Sequence, residues 1–181
     1  MQNIEIKTRL PDRDRVEDAL KRLDAERVWV RRQRDTFFRA ARGWLKLRES
    51  EGAAELIGYE RSTADTGPRA SSYDLLGVPD PAACIRLLDR TLGIECVVEK
   101  ERALWHHQHT RVHLDRVDGL GDFLELETVL GNPGAEGSIS AREGEEEAQA
   151  MIEALGLDPR LFLAVPYRDL LLEAGGPERI R

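Results

Sequence analysis

Charged residues recur in this chain at every second position, a spacing that places their side chains on one side of an extended backbone. Trp44, Lys46 and Arg48 alternate with Leu45 and Leu47, and Lys100 and Arg102 share one parity in Val98–Arg102. Arg111, His113 and Asp115 do the same in Thr110–Val117, as do Glu125 and Glu127 in Phe123–Glu127. Near the start, Asn3, Glu5 and Lys7 alternate with Ile4 and Ile6, while Arg61 ends the run from Leu56. These strands otherwise look buried, and unpaired buried charge is costly, so something must compensate it. A closed or nearly closed sheet would gather the faces into one lumen. It would hold Lys7, Lys46, Arg48, Arg61, Lys100, Arg102 and Arg111 with Glu5, Asp115, Glu125 and Glu127, leaving three positive charges unpaired. A polyanion would neutralise them. Glu5, Glu125 and Glu127 offer hard oxygen donors for Mg²⁺ or Mn²⁺, ions that take phosphate oxygens as co-ligands. The residues alone point to a metal-bound phosphate chain.

The elements that must position these groups are legible in outline. Residues 2 to 9 alternate as a strand, and Asp12 opens an amphipathic helix to about Leu23, with Val16, Leu20 and Leu23 at helical spacing. From Glu26 to about Leu130, short runs rich in Val, Ile, Leu, Tyr and Trp lie between turn signals such as Gly43, Glu51-Gly52 and Gly119-Leu120-Gly121, the pattern of antiparallel hairpins. One helix interrupts them from Asp80 to about Leu92, and Thr63–Ser72, with Gly67-Pro68, reads as a mobile loop. After the Gly131–Gly134 break, Ala141 to Leu155 reads as a helix, and Asp158 to Leu172 adds shorter helical pieces. The sum is an α+β chain: one antiparallel system of about eight strands with helices packed outside.

The 181 residues carry 27 Lys and Arg against 34 Asp and Glu, a formal charge of −7. An acidic balance disfavours nucleic acid and anionic membrane as partners. No apolar run approaches the roughly 20 residues that span a bilayer, and no signal-peptide core follows Met1, so a cytoplasmic protein is expected. Cys84 and Cys96, far apart and in no CxxC pair, exclude a disulfide framework.

The strings also match a known pattern. Asn3-Ile4-Glu5-Ile6-Lys7 resembles the N-terminal ExExK strand of the CYTH, or triphosphate tunnel, superfamily, with Asn3 in place of the first glutamate, as in the branch that looks like class IV adenylyl cyclase. Gln33–Phe38 resembles its QxDTYF strand, Gly43–Arg48 its GxLKLR strand and Leu56–Arg61 its following arginine strand. Val98–Arg102, Arg111–Asp115 and Gly121–Glu127 are similar to its VxKxR, RxHLD and GxFxExE elements. The resemblance implies a single CYTH domain over residues 1–181, its core about residues 2–172, folded as an eight-stranded antiparallel tunnel. It implies metal on Glu5, Glu125, Glu127 and Asp115, and phosphate on Lys7, Lys46, Arg48, Arg61, Lys100, Arg102 and Arg111, with Arg39 and Arg69 as rim candidates. Glu5, Lys7, Glu125 and Glu127 would be catalytic. The implied substrate is ATP or another triphosphate with Mg²⁺ or Mn²⁺: a class IV adenylyl cyclase-like enzyme making cyclic AMP and pyrophosphate, an inorganic or thiamine triphosphatase, or a binding module without turnover. A homodimer is left open.

Plainer readings compete for several other residues. His106, His107 and His109 fall at a hairpin turn where side chains diverge, and His113 faces the lumen as a phosphate contact or a structural histidine. Trp44 and Phe37 are placed to stack on a base or to pack in a core. The acidic run Glu143–Glu147 reads as a solvated helix face.

Overall fold

The computed structural model describes residues 2–10, 12–61, 71–131 and 137–175, apart from the side chains of residues 2, 60, 61 and 71–73. Most of the expected Thr63–Ser72 loop, and Arg69 with it, lies outside the described residues.

Strand β1 (Gln2–Arg9) leads through Asp12, whose side chain accepts from the Arg15 N–H, into α1 (Arg13–Arg22). Five strands and a helix follow: β2 (Glu26–Phe38), β3 (Trp44–Ser50), β4 (Ala53–Arg61), β5 (Ser71–Gly77), α2 (Pro81–Thr91) and β6 (Ile94–His107). Then come β7 (Thr110–Val117), β8 (Gly121–Gly131), α3 (Ala141–Leu155), a 3₁₀ turn at Pro159–Leu161 and α4 (Tyr167–Glu173). Ser140 and Glu143 form a reciprocal capping box at the start of α3, and Gly156 ends it at φ 64°, a left-handed turn that glycine adopts without strain.

The strands make one antiparallel sheet in the order β1-β8-β7-β6-β2-β3-β4-β5. Among the described residues its edges, β1 and β5, share no hydrogen bonds, so the sheet is not closed by them; it is nearly closed by curvature. It does curl: Tyr59 of β4 packs on the same apolar cluster as Phe123 of β8, although β7, β6, β2 and β3 lie between them. The long central strands β2 and β6, of 13 and 14 residues, carry the curvature, with register shifts between Arg27 and Trp29 and between Phe37 and Phe38.

The two faces are sorted by parity. On the outside, Ala103, Trp105, Val112, Leu114, Leu124 and Leu126 form the main core with Val16, Ala19 and Leu20 of α1 and Met151, Ile152 and Leu155 of α3. Burying such side chains contributes roughly 1.5–3 kcal/mol each relative to exposure. On the inside, Phe37, Cys96, Val98, Val117 and Phe123 form a second cluster, closed by Tyr167 and Leu171 of α4. Helix α4 thus covers part of the inner face, an addition to the helices expected outside. Among the described residues no helix is long and apolar enough to cross a membrane.

Candidate functional site

Cross-strand pairing lines the inner-face charges up in rows. Glu5 lies opposite Glu127, and Glu127 opposite Arg111; Lys7 lies opposite Glu125, and Glu125 opposite His113. Asp115 faces Arg102, Asp35 faces Arg48, and Phe37 faces Lys46. Partners in register put their side chains on the same face, so parity in the sequence becomes contact in space.

The contacts form a continuous buried ion chain. Lys7 Nζ lies 3.0 Å from Glu125 Oε1, and Arg102 Nη2 donates to Glu125 Oε2 at 2.5 Å. The same guanidinium grips Asp115 in bidentate fashion, Nε to Oδ1 at 2.6 Å and Nη2 to Oδ2 at 2.5 Å, with Lys100 Nζ 3.6 Å from Oδ2. Asp115 is wholly buried, and Lys7, Lys100, Arg102 and Glu125 are each buried. Burial alone would raise the pKa of Glu125, yet Lys7 and Arg102 hold its carboxyl well below the usual range. Asp115 is likewise lowered, burial opposing and Lys100 and Arg102 prevailing. His113 Nδ1 lies 3.6 Å from Glu125 Oε2, and burial with the Arg102 charge lowers the imidazole pKa, favouring the neutral ring.

A second cluster centres on Asp35 of β2, 3% exposed. Arg48 holds it through Nε at 2.7 Å and Nη2 at 2.8 Å, and Lys46 Nζ through Oδ2 at 2.9 Å. Burial opposes ionisation of Asp35, but Lys46, Arg48 and Lys100 keep it a carboxylate. Burial pushes Lys46 down to about 7 and Lys100 down to about 8, with neighbouring cations adding to each fall. The curl brings the clusters within mutual reach: Arg48 of β3 feels the charge of Glu125 on β8.

The sequence reading passed over Asp35. It sits in the Gln33–Phe38 string with the inner parity of Gln33 and Phe37, and that parity was the available signal. Its presence changes the charge balance, because Lys7, Lys46, Arg48, Lys100, Arg102 and Arg111 each already meet a carboxylate. The lumen is not left with three bare positive charges; its cations are held ready by internal counter-ions. Such pairing lowers the cost of keeping cations in a partly dry space.

The open end has a different character. Glu5 is exposed, Asn3 Nδ2 donates to Glu127 Oε1 at 2.6 Å, and Arg111 Nη1 lies 3.5 Å from Glu127 Oε2. Among the described residues no three His, Cys, Asp or Glu side chains converge on a metal cage. The sequence reading gave Asp115 and Glu125 to a metal; in this structure their oxygens meet Arg102, Lys100 and Lys7. Glu5 and Glu127 remain, two hard donors that fit an ion such as Mg²⁺ arriving with phosphate oxygens and water in its shell.

Other candidates divide. Arg61 ends β4 with its side chain outside the described ones, and its parity matches Tyr59 and Ile57. Arg39 does not reach the lumen: its guanidinium passes over Gly93, where an added Cβ would come 2.6 Å from Nη1. Phe37 is core. Trp44 is half-buried, edge-on to Tyr59 at 5.2 Å, with the Arg168 guanidinium 5.9 Å from its ring centre. The acidic run on α3 is not all solvated, because Glu147 accepts from the Thr110 hydroxyl at 2.6 Å and the His109 N–H at 2.9 Å, tying α3 to the β6–β7 turn. Tyr167 was also passed over. Nothing in the sequence shows that a short C-terminal helix turns its ring onto Lys7 and Lys100, whose Nζ atoms lie 4.3 and 5.2 Å from the ring centre.

Comparison with known proteins agrees with this arrangement. Residues 1–160 match the CYTH domain, and the chain belongs to that family. A Methanocaldococcus jannaschii protein named "putative adenylate cyclase" is 23% identical over 179 residues, 94% of this chain and 98% of that protein. The solved structure of the PH1012 protein from Pyrococcus horikoshii superposes with a TM-score of 0.78 at 24% identity, covering 93% of this chain and 98% of that one. A Hippeastrum structure, described as an adenylyl cyclase candidate that reveals a dominant triphosphatase activity, gives 0.66 at 15% identity over 99% of this chain and 98% of its own.

Proposed function

We propose that this CYTH domain binds a nucleoside triphosphate along its inner ion chain and, with a divalent cation, converts ATP to cyclic AMP and pyrophosphate. One observation carries the reading: inside a domain of a family of cyclase- and triphosphatase-like enzymes, buried and half-buried cations from Lys7 to Arg48 gather in two neighbouring clusters, each cation held by a carboxylate. The name of the Methanocaldococcus relative supports the cyclase branch.

In this mechanism Lys7, Lys100, Arg102, Lys46 and Arg48 line the phosphate chain, with Arg61 and Arg111 at its margins. Asp35 and Asp115 orient the guanidinium groups in advance, so little reorganisation is needed when charge develops. The ribose 3′-oxygen attacks the α-phosphorus and gives its proton to solvent water, while the bond from that phosphorus to the pyrophosphate oxygen breaks. The cations stabilise the charge that collects on the departing pyrophosphate. Glu5 and Glu127 would hold the divalent ion, which supplies Lewis acidity and charge neutralisation there. Trp44, half-buried beside Tyr59, is positioned to stack on a base.

Hydrolysis is the second reading, favoured by the triphosphatase activity attributed to the Hippeastrum protein. Water would then attack a terminal phosphorus and release phosphate, with the same cations in shifted roles. Purified protein with Mg²⁺ or Mn²⁺, offered ATP and inorganic triphosphate in parallel and followed by ³¹P NMR, separates the two. Cyclic AMP with pyrophosphate supports the cyclase; phosphate from either substrate supports the hydrolase; tight binding with no product refutes both and leaves a sensor.

A further inference from the structure

Among the described residues, Tyr167 carries a hydroxyl beside the ion chain that the chain itself does not use. The residue is 6% exposed, its ring stands edge-on to Phe123 at 4.9 Å between centres, and the Lys7 and Lys100 ammonium groups lie against it. Every charged neighbour there is paired, yet the Tyr167 hydroxyl finds no hydrogen-bond partner among the described residues. Burial, with Glu125 and Asp115 nearby, keeps the proton on the phenol, although Asp115 acts on it without meeting hydrogen-bond geometry. A buried hydroxyl with no acceptor weakens a fold. One kept among lysines, on a helix that covers the inner face, has a use if an anion joins them.

Resting on the reading that the lumen takes a phosphate chain, we propose that the Tyr167 hydroxyl donates a hydrogen bond to a non-bridging phosphate oxygen of that chain, making α4 part of the binding site. A neutral donor suits the position. It adds a bond to the anion without adding a further cation beside Lys7 and Lys100, each of which already has a carboxylate partner, and the ring holds both ammonium groups through their attraction to its face. No bond is made or broken; the hydroxyl only binds.

Tyr167→Phe keeps the ring and deletes the oxygen. Because that oxygen has no partner in the free protein, the melting temperature without ligand should stay the same or rise. Affinity for inorganic triphosphate, measured by titration calorimetry, should fall roughly 10- to 100-fold, the usual worth of a hydrogen bond to a charged group. Equal affinity of both proteins, with binding by the unaltered one, overturns this proposal alone. A lower melting temperature for Tyr167→Phe without ligand overturns it too, because the oxygen would then be structural. No binding of triphosphate by the unaltered protein overturns the polyphosphate reading and this proposal with it.

Discussion

Replacing Asp35 with Asn tests whether the lumen's cations are held by internal counter-ions. The carboxylate is 3% exposed and takes three short contacts, from Lys46 at 2.9 Å and from Arg48 at 2.7 and 2.8 Å. Removing one partner of a buried ion pair costs roughly 3–5 kcal/mol, because the other charge is left behind. The lower end applies, since the Arg48 and Lys46 side chains are 24% and 12% exposed and water can reach them. For a domain of this length each kcal/mol moves the melting temperature by roughly 2–4 °C, so a loss of about 3 kcal/mol is a fall of about 6–12 °C. The pH profile should change as well. A carboxyl lowered in the folded state adds stability above its unfolded pKa of about 3.9 and loses it as the pH falls below; Asp35→Asn should lack that acid-side loss. Inorganic triphosphate should then stabilise the variant by more degrees than it stabilises the unaltered protein, because phosphate supplies the missing negative charge. Differential scanning fluorimetry with and without the ligand reads all of this. A fall under 2 °C, or an equal ligand shift in both proteins, would refute the counter-ion argument.

Three further outcomes are expected. With its pKa about 7 when folded and about 10.4 when unfolded, Lys46 keeps its proton longer in the unfolded chain, so stability should rise between pH 7 and 10; urea titrations of Lys46→Met should show a shallower rise, and an unchanged slope would contradict the burial of this ammonium group. Glu5→Gln and Glu127→Gln should each remove at least 90% of Mg²⁺- or Mn²⁺-stimulated turnover with little change in melting temperature, whereas Asp115→Asn should unfold at a clearly lower temperature; metal dependence surviving in both glutamine variants would place the ion elsewhere. Glu147→Ala removes the charged acceptor of the Thr110 hydroxyl, which keeps only Thr128 as a partner, and should cost about 1–2 kcal/mol, read by urea unfolding, with affinity for triphosphate intact.

Strand parity was the part of the architecture most readable in the sequence, because the backbone alone sets which side chains share a face. Lys46 with Arg48, Lys100 with Arg102, and Glu125 with Glu127 needed only a two-residue period, and the helix expected from Ala141 to Leu155 has those bounds. Partner choice was not readable. That Asp115 belongs to Arg102 depends on β6 and β7 register, and that Asp35 belongs to Arg48 depends on β2 and β3. A count of charges cannot show such pairings; a fifth carboxylate, Asp35, cuts the expected surplus from three cations to two and is the partner of Lys46 and Arg48. The inner-face position of Tyr167 was hidden for a similar reason: a seven-residue helix has too few turns to declare a face.

The pairing of β1 with β8 sets an order of assembly. Lys7 waits for Glu125, well over a hundred positions later in the chain, so a growing polypeptide leaves the ribosome with its first strand solvated and its ammonium group free. Only when β8 emerges can the sheet acquire that edge, and only after α4 emerges can Tyr167 reach the two lysines. Closure of so long a loop comes at a real entropic cost and makes such folds slow relative to helical bundles. Charge neutralisation, burial of the ion chain and completion of the binding surface therefore all wait for β8 and α4, and a chain truncated before Glu125 lacks the partner that lets β1 settle.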